Sequence, residues 1–196
     1  MSNYQNQQNP KSFFNLPYVT KRPELQEAFD SLPPLCAVWV EPHQKNRRGG
    51  SSYADVALVR DDGLAYVITL VINRKSDAPF DLKEAAIRNE LMERFRHLTG
   101  DKHLLFYDAA KGIRNLNAYV SPDAVAVCLK QSLAQGFAGI DECEQNTIPF
   151  DEAMKRIGIP SLDTPHPALT KATRLLHAWY HGVECFLGKK YRSSFQ

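Results

Sequence analysis

The chain has 196 residues, 43% of them hydrophobic and 23% charged, with a formal net charge of +2. That length buries a core without disulfide or metal staples, and ordinary globular usage excludes a disordered or fibrous chain. The small net charge excludes a generally cationic surface, so affinity for nucleic acid requires a local basic patch.

The cysteines, Cys36, Cys128, Cys143 and Cys185, form no CxxC pair, so they are expected as free thiols rather than a zinc knuckle. The longest apolar run, Leu64 to Ile72, is interrupted only by Thr69. It falls well short of the roughly 20 residues of a membrane helix. The amino-terminal MSNYQNQQNP lacks the basic start and apolar stretch of a secretory signal. The expectation is a cytoplasmic protein with no membrane partner.

Residues 1–11 are polar and predict a flexible tail. In residues 12–19, Phe13, Phe14, Leu16 and Tyr18 are apolar enough to dock on the body or on a protein partner. Pro23 opens a short helix through Phe29, and Pro33 and Pro34 stop it. Cys36 to Glu41 reads as a strand, followed by a polar loop from His43 to Ser52. Two β-rich runs, Tyr53 to Arg60 and Leu64 to Arg74, flank Asp61-Asp62-Gly63, a tight turn that exploits glycine's tolerance of positive φ. The second run is apolar on both faces, which places it centrally in the sheet. Asp81 and Glu84 form a capping-box pattern, and Ile87, Leu91, Phe95 and Leu98 make one helical stripe that Gly100 ends. His103 to Tyr107 reads as a further strand.

Ser121-Pro122-Asp123 predicts a helix start, with a stop at Gly136. A short helix spans Phe150 to Ile157 and is closed by Gly158 and Pro160. Thr164-Pro165 opens a long helix to about Leu187, with Leu169, Ala172, Leu176, Trp179, Tyr180, Val183 and Leu187 on its apolar face. The predicted organisation is a flexible tail at 1–11, a single α+β domain at 12–188 and a loose basic tail at 189–196. The sheet is mixed and built on the hairpin. Helices flank it over one face, and the carboxyl-terminal half is helical.

Three constellations bear on function. The loop at 43–52 carries Lys45, Arg47 and Arg48 beside two glycines, residue types that approach phosphates closely. It leads into a strand rather than a helix, so it is not a Walker-type phosphate loop; a solvated connection is the other reading. His177, His181 and Cys185 form a row at i, i+4 and i+8 on the last helix. Two of them could chelate a metal, but the row lies beside the apolar stripe and reads as the boundary of a packed face. The third constellation is Asp55, which interrupts the apolar YADVALV, with Asn73, Arg74 and Lys75 at the end of the next run.

On that last set, residues 23–107 resemble the PD-(D/E)XK nuclease superfamily. The likeness rests on the element order (a helix, three strands, a helix and a strand), on Asp55, and on Lys75 two residues after Asn73. It implies Mg²⁺ held by acids, activating water and neutralising phosphate charge. Asp55 would then be the metal ligand, Lys75 a catalytic residue, and Glu84 or Glu90 of the following helix the source of a second acid. Asn73 stands where the family has Asp or Glu, and an amide is a poor Mg²⁺ ligand beside a carboxylate. The motif is therefore degenerate, and a metal-free form of the fold is favoured over an active nuclease. No GxSxG elbow or GxGxxG fingerprint is present. The sequence thus points to a protein associated with DNA or RNA through Lys45, Arg47, Arg48 and Arg74. The alternative is a non-enzymatic interaction or assembly component that uses residues 12–19.

Overall fold

The structure is a computed structural model and describes residues 31–43, 52–73, 82–137, 139–162, 164 and 166–193. The expected tail at 1–11, the docking segment 12–19, the helix opened by Pro23, and Lys45, Arg47, Arg48, Arg74 and Lys75 lie outside the described residues. In chain order the elements are β1 (Leu35–Pro42), β2 (Ser52–Arg60), β3 (Ala65–Asn73), α1 (Leu82–Thr99), β4 (His103–Phe106), α2 (Ala109–Leu116), β5 (Ala126–Cys128), α3 (Leu129–Gly136), α4 (Glu142–Gln145), α5 (Phe150–Arg156) and α6 (Pro167–Ser193). The fold is α+β, with one mixed five-stranded sheet in the order β3-β2-β1-β4-β5. Strands β1, β2 and β3 pair antiparallel, while β4 runs parallel to β1 and β5 parallel to β4.

The hairpin forms as its sequence dictates. Gly63 takes φ 93°, and Arg60 N–H donates to Leu64 O at 2.8 Å. The turn is also tied to the body. Asp61 accepts from Leu35 N–H and from Lys102 Nζ, each at 2.8 Å. Arg60 pairs with Asp62 and donates to Leu98 O at 3.3 Å.

Two sequence expectations need correction here. Strand β3 is an edge strand, not a central one, and helices cover both faces of the sheet, not one. The cause is common to both. Successive side chains of a strand point to opposite faces, and alternate residues of β3 enter two separate cores. Ala65 and Val67 join Leu35, Ala37, Ala57, Val59 and Leu105 beneath α3, α5 and α6. Tyr66, Ile68 and Leu70 join Val38, Val56, Leu58 and Phe106 beneath Phe95 and Leu98 of α1 and Leu116 of α2. Apolarity on both faces thus reports two covered faces and says nothing of position within the sheet.

The stripe of α1 is buried at Phe95 and Leu98, half-buried at Leu91 and 46% exposed at Ile87. Gly100 ends the helix at φ 58°, its N–H returning to Arg96 O at 2.8 Å, as a left-handed glycine cap does. Ser121-Pro122-Asp123 does not start a helix. The chain turns there, forms β5, and enters α3 only at Leu129. Helix α5 and its stop at Gly158 (φ 77°) lie where expected. Helix α6 continues past Leu187 to Ser193, into the stretch expected to be loose. Ala168, Ala172, Leu175 and Leu176 bury it against β1 and β2. Among the described residues no helix is long and apolar enough to cross a membrane.

Candidate functional site

One end of the sheet gathers the chemistry. Pairing of Pro42 with Ala54 and of Ser52 with Asn73 puts the end of β1, the start of β2 and the end of β3 side by side. His43 and Ser52 flank the segment holding Lys45, Arg47 and Arg48. Asn73 precedes Arg74 and Lys75. These described flanking residues share one end of the sheet.

Strand β4 is parallel to β1 but stops at Phe106, level with Val38, so the two pair only over Leu35, Ala37 and the residue between. From Val38 onward, β1 has no strand partner on that side among the described residues. A cleft of about 290 Å³ opens at this point, with Val38, Val40, Phe106, Lys111, Lys130 and Phe150 in its walls. The chain leaves β1 toward β2 and β3 on one side, whereas β4 leads to β5 on the other. Such a reversal at the carboxyl ends of parallel strands is where open α/β sheets hold ligands.

Asp108 organises the cleft. Its Oδ1 accepts from Lys111 N–H at 3.1 Å and caps α2, while its Oδ2 lies 3.7 Å from Lys130 Nζ. Lys130 also stands 5.9 Å from the centroid of the Tyr107 ring. The Tyr107 hydroxyl donates to Ile148 O at 2.6 Å, and burial pushes its pKa well above the ordinary phenol value.

A second polar cluster lies on the α6 face, next along the strands. Glu41 accepts from Trp39 Nε1 at 2.9 Å and from Lys171 Nζ at 3.0 Å. Partial burial opposes its ionisation, but the Trp39 and Lys171 hydrogen bonds outweigh that and hold its pKa below the usual value. Asp55 sits opposite Glu41 on β2 and opposite Thr69 on β3. The Thr69 hydroxyl donates to Asp55 Oδ1 at 2.8 Å. His43 Nε2 lies 3.0 Å from the same oxygen, and His166 Nε2 lies 3.3 Å from Oδ2. Burial again works against ionisation. The Thr69 and His43 hydrogen bonds and both imidazoles outweigh it, so the Asp55 pKa is lowered.

The structure brings Asp55 together with Glu41, Thr69, His43 and His166. It does not bring Asn73 beside Asp55. Asn73 pairs with Ser52, four residues beyond Thr69 along β3, a separation of roughly 13 Å at the rise of a strand. Glu84 lies in the first turn of α1 and Glu90 further along it. That helix packs on the opposite sheet face from Asp55, which shares its face with Ala57 and Val59. Among the described residues no group of three or more His, Cys, Asp or Glu could hold a metal ion. The described partners of Asp55 are a hydroxyl and two imidazoles, whereas Mg²⁺ prefers oxygen ligands. No step through Mg²⁺ follows from this arrangement.

A carboxylate can orient an imidazole for acid–base work, provided the second ring nitrogen reaches a substrate. His166 Nδ1 is buried with no hydrogen-bond partner among the described residues, which closes that route for His166, while His43 is 47% exposed. The cluster acts instead as a clasp, joining the end of β1, β2 and the residue ahead of α6. His177 of the carboxyl-terminal row is buried, and His181 lies 3.8 Å from Cys185 Sγ with its ring 5.4 Å from Phe137. The four cysteines form no disulfide with one another.

Sequence reasoning missed Glu41, His166, Lys171, Asp108, Lys111 and Lys130. Asp108 had a signal, an N-cap residue before a run of helix formers. The others meet only through the fold. Neither a protein-family model nor a curated protein matches the chain.

Proposed function

We propose that the protein binds nucleic acid through this end of the sheet, as a non-cleaving form of a nuclease-like fold. The observation that carries the reading is the adjacency of the three strand ends. The segments holding Lys45, Arg47 and Arg48 and holding Arg74 and Lys75 depart from neighbouring positions, beside a cleft with Lys111 and Lys130. Five cations in those two segments, on a chain of net charge +2, suit contact with a phosphate backbone. The described partners of Asp55, a hydroxyl and two imidazoles, suit a non-cleaving form better than metal-assisted hydrolysis.

The test is fluorescence anisotropy with single- and double-stranded DNA and RNA between about 50 and 200 mM salt. Affinity should fall steeply with salt and drop in an Arg47→Ala, Arg48→Ala variant. Absence of binding at low salt would end this reading and leave a protein-interaction component. Cleavage with Mg²⁺ or Mn²⁺ that Asp55→Asn abolishes would replace the non-cleaving form with an active nuclease.

A further inference from the structure

We infer that the cleft between the carboxyl ends of β1 and β4 binds one nucleotide unit, a phosphate on a flat, apolar body. The inference rests on the nucleic-acid reading for its choice of ligand and goes beyond it by naming a discrete pocket.

Size sets the first limit. At about 290 Å³ the cleft is at the small end of ligand sites, which run from about 300 to 1,000 Å³. It admits a single nucleoside phosphate, and a length of strand must remain outside. Position supplies the second argument. Beyond Ala37 the edge of β1 lacks a strand partner among the described residues. Backbone donors and acceptors along that edge need partners, and Val38 and Val40 bring them to the cleft wall.

Charge supplies the third. Lys111 and Lys130 lie in the first turns of α2 and α3 and line the cleft together with one carboxylate, Asp108. Two cations against one anion leave a net positive site. Asp108 Oδ1 is committed to the α2 cap. Its Oδ2 is 3.7 Å from Lys130, looser than the roughly 2.7–2.9 Å of a charge-assisted hydrogen bond. Lys130 is thus held in place without being satisfied, and at 17% exposure its charge is less screened than that of a surface lysine. The apolar walls, Val38, Val40, Phe106 and Phe150, suit a flat ring system. The nucleotide can be free or can be the phosphorylated end of a strand.

Calorimetry on the full chain with AMP, UMP and inorganic phosphate tests the site. A competition between 5′-phosphorylated and 5′-hydroxyl oligonucleotides separates the two sources. Saturable AMP binding is expected, weakened about tenfold or more by Lys111→Ala with Lys130→Ala. Asp108→Asn keeps an N-capping side chain and removes the competing charge. It should therefore tighten AMP binding several-fold at unchanged melting temperature, a gain that damage to the fold cannot mimic. Displacement of AMP by only the 5′-phosphorylated strand would assign the site to strand ends. Displacement by neither strand, with AMP still bound, would assign it to the free nucleotide. No saturable AMP binding, or binding indifferent to both variants, overturns the inference. Should oligonucleotides still bind through Arg47 and Arg48 in that case, the broader reading stands alone. Lysine-dependent AMP binding without any strand binding at low salt keeps the pocket and removes the broader reading.

Discussion

Asp55 of β2 and His166, the residue before α6, meet across the sheet face at 3.3 Å, Oδ2 to Nε2. The contact anchors the start of the longest helix to a strand from the first third of the chain. With Thr69 and His43 on Oδ1, it gives a carboxylate in an apolar strand a structural reason to be there.

Stability should therefore depend on Asp55 in a particular pH range. Its pKa is lowered in the folded protein, so as pH falls the unfolded chain takes up the proton first. The contribution is complete above the unfolded value of about 3.9 and is lost as pH falls through the depressed folded value. Asp55→Asn should cost about 1–2 kcal/mol at pH 7. The gap between variant and wild type should narrow below about pH 4. Urea unfolding at pH 7 and at acid pH measures both. A variant as stable as wild type at pH 7 would show that the clasp contributes nothing.

Thiol reactivity should separate the cysteines by position. Cys36 is fully buried on β1, and burial, opposed by Arg60, pushes its pKa up to about 12. Cys143 on α4 is exposed. Since the thiolate is the reactive form, Cys143 should label rapidly in the native protein and Cys36 only on unfolding. Mass mapping after a brief pulse of a thiol reagent checks this, and Cys143→Ser should remove the fast phase. Native labelling of Cys36 at a rate comparable to Cys143 would contradict its placement in the core.

The Tyr107 hydroxyl joins the end of β4 to the segment before α5 by donating to Ile148 O at 2.6 Å in a buried setting. Tyr107→Phe removes the donor and leaves a buried carbonyl without it. A loss of about 1–2 kcal/mol is expected, read as a lower denaturation midpoint at unchanged m-value. The same variant should loosen the wall of the cleft at Ile148.

Sequence was a good guide where one residue type answers one local demand. Gly63, Gly100 and Gly158 each sit at positive φ, and all three were legible as turns or stops. Phe95 and Leu98 were legible because a helical stripe repeats. Strand β5 was not. Its three residues, Ala126 to Cys128, are too short for an alternation to show, and the helical pattern of α3 absorbed them. The position of β3 was not legible either, because two-sided apolarity has two causes. Of the site, Asp55 was visible as a charge among apolar residues. His166 and Lys171 were not, since contacts between distant segments leave no spacing to read.

Helix α2 forms one wall of the cleft through Lys111, Gly112 and Asn115. Gly112 lies against the Phe106 ring so closely that an added Cβ would overlap Cδ1 and stand 2.7 Å from Cε1. Phe106 is a β4 residue buried between the sheet and α2, so its ring has little room to move aside. Gly112→Ala must therefore push α2 outward or force Phe106 off its rotamer. Overpacking of this kind costs about 1–3 kcal/mol, more than alanine's better helix propensity returns, about 1 kcal/mol. Thermal unfolding should show the net loss. Phe106→Leu in the same chain should recover part of it, because the smaller side chain frees the volume the methyl needs. A double-mutant cycle gives the coupling between the two positions. Additive effects would mean that α2 moves as a unit and that Phe106 does not set its distance from the sheet.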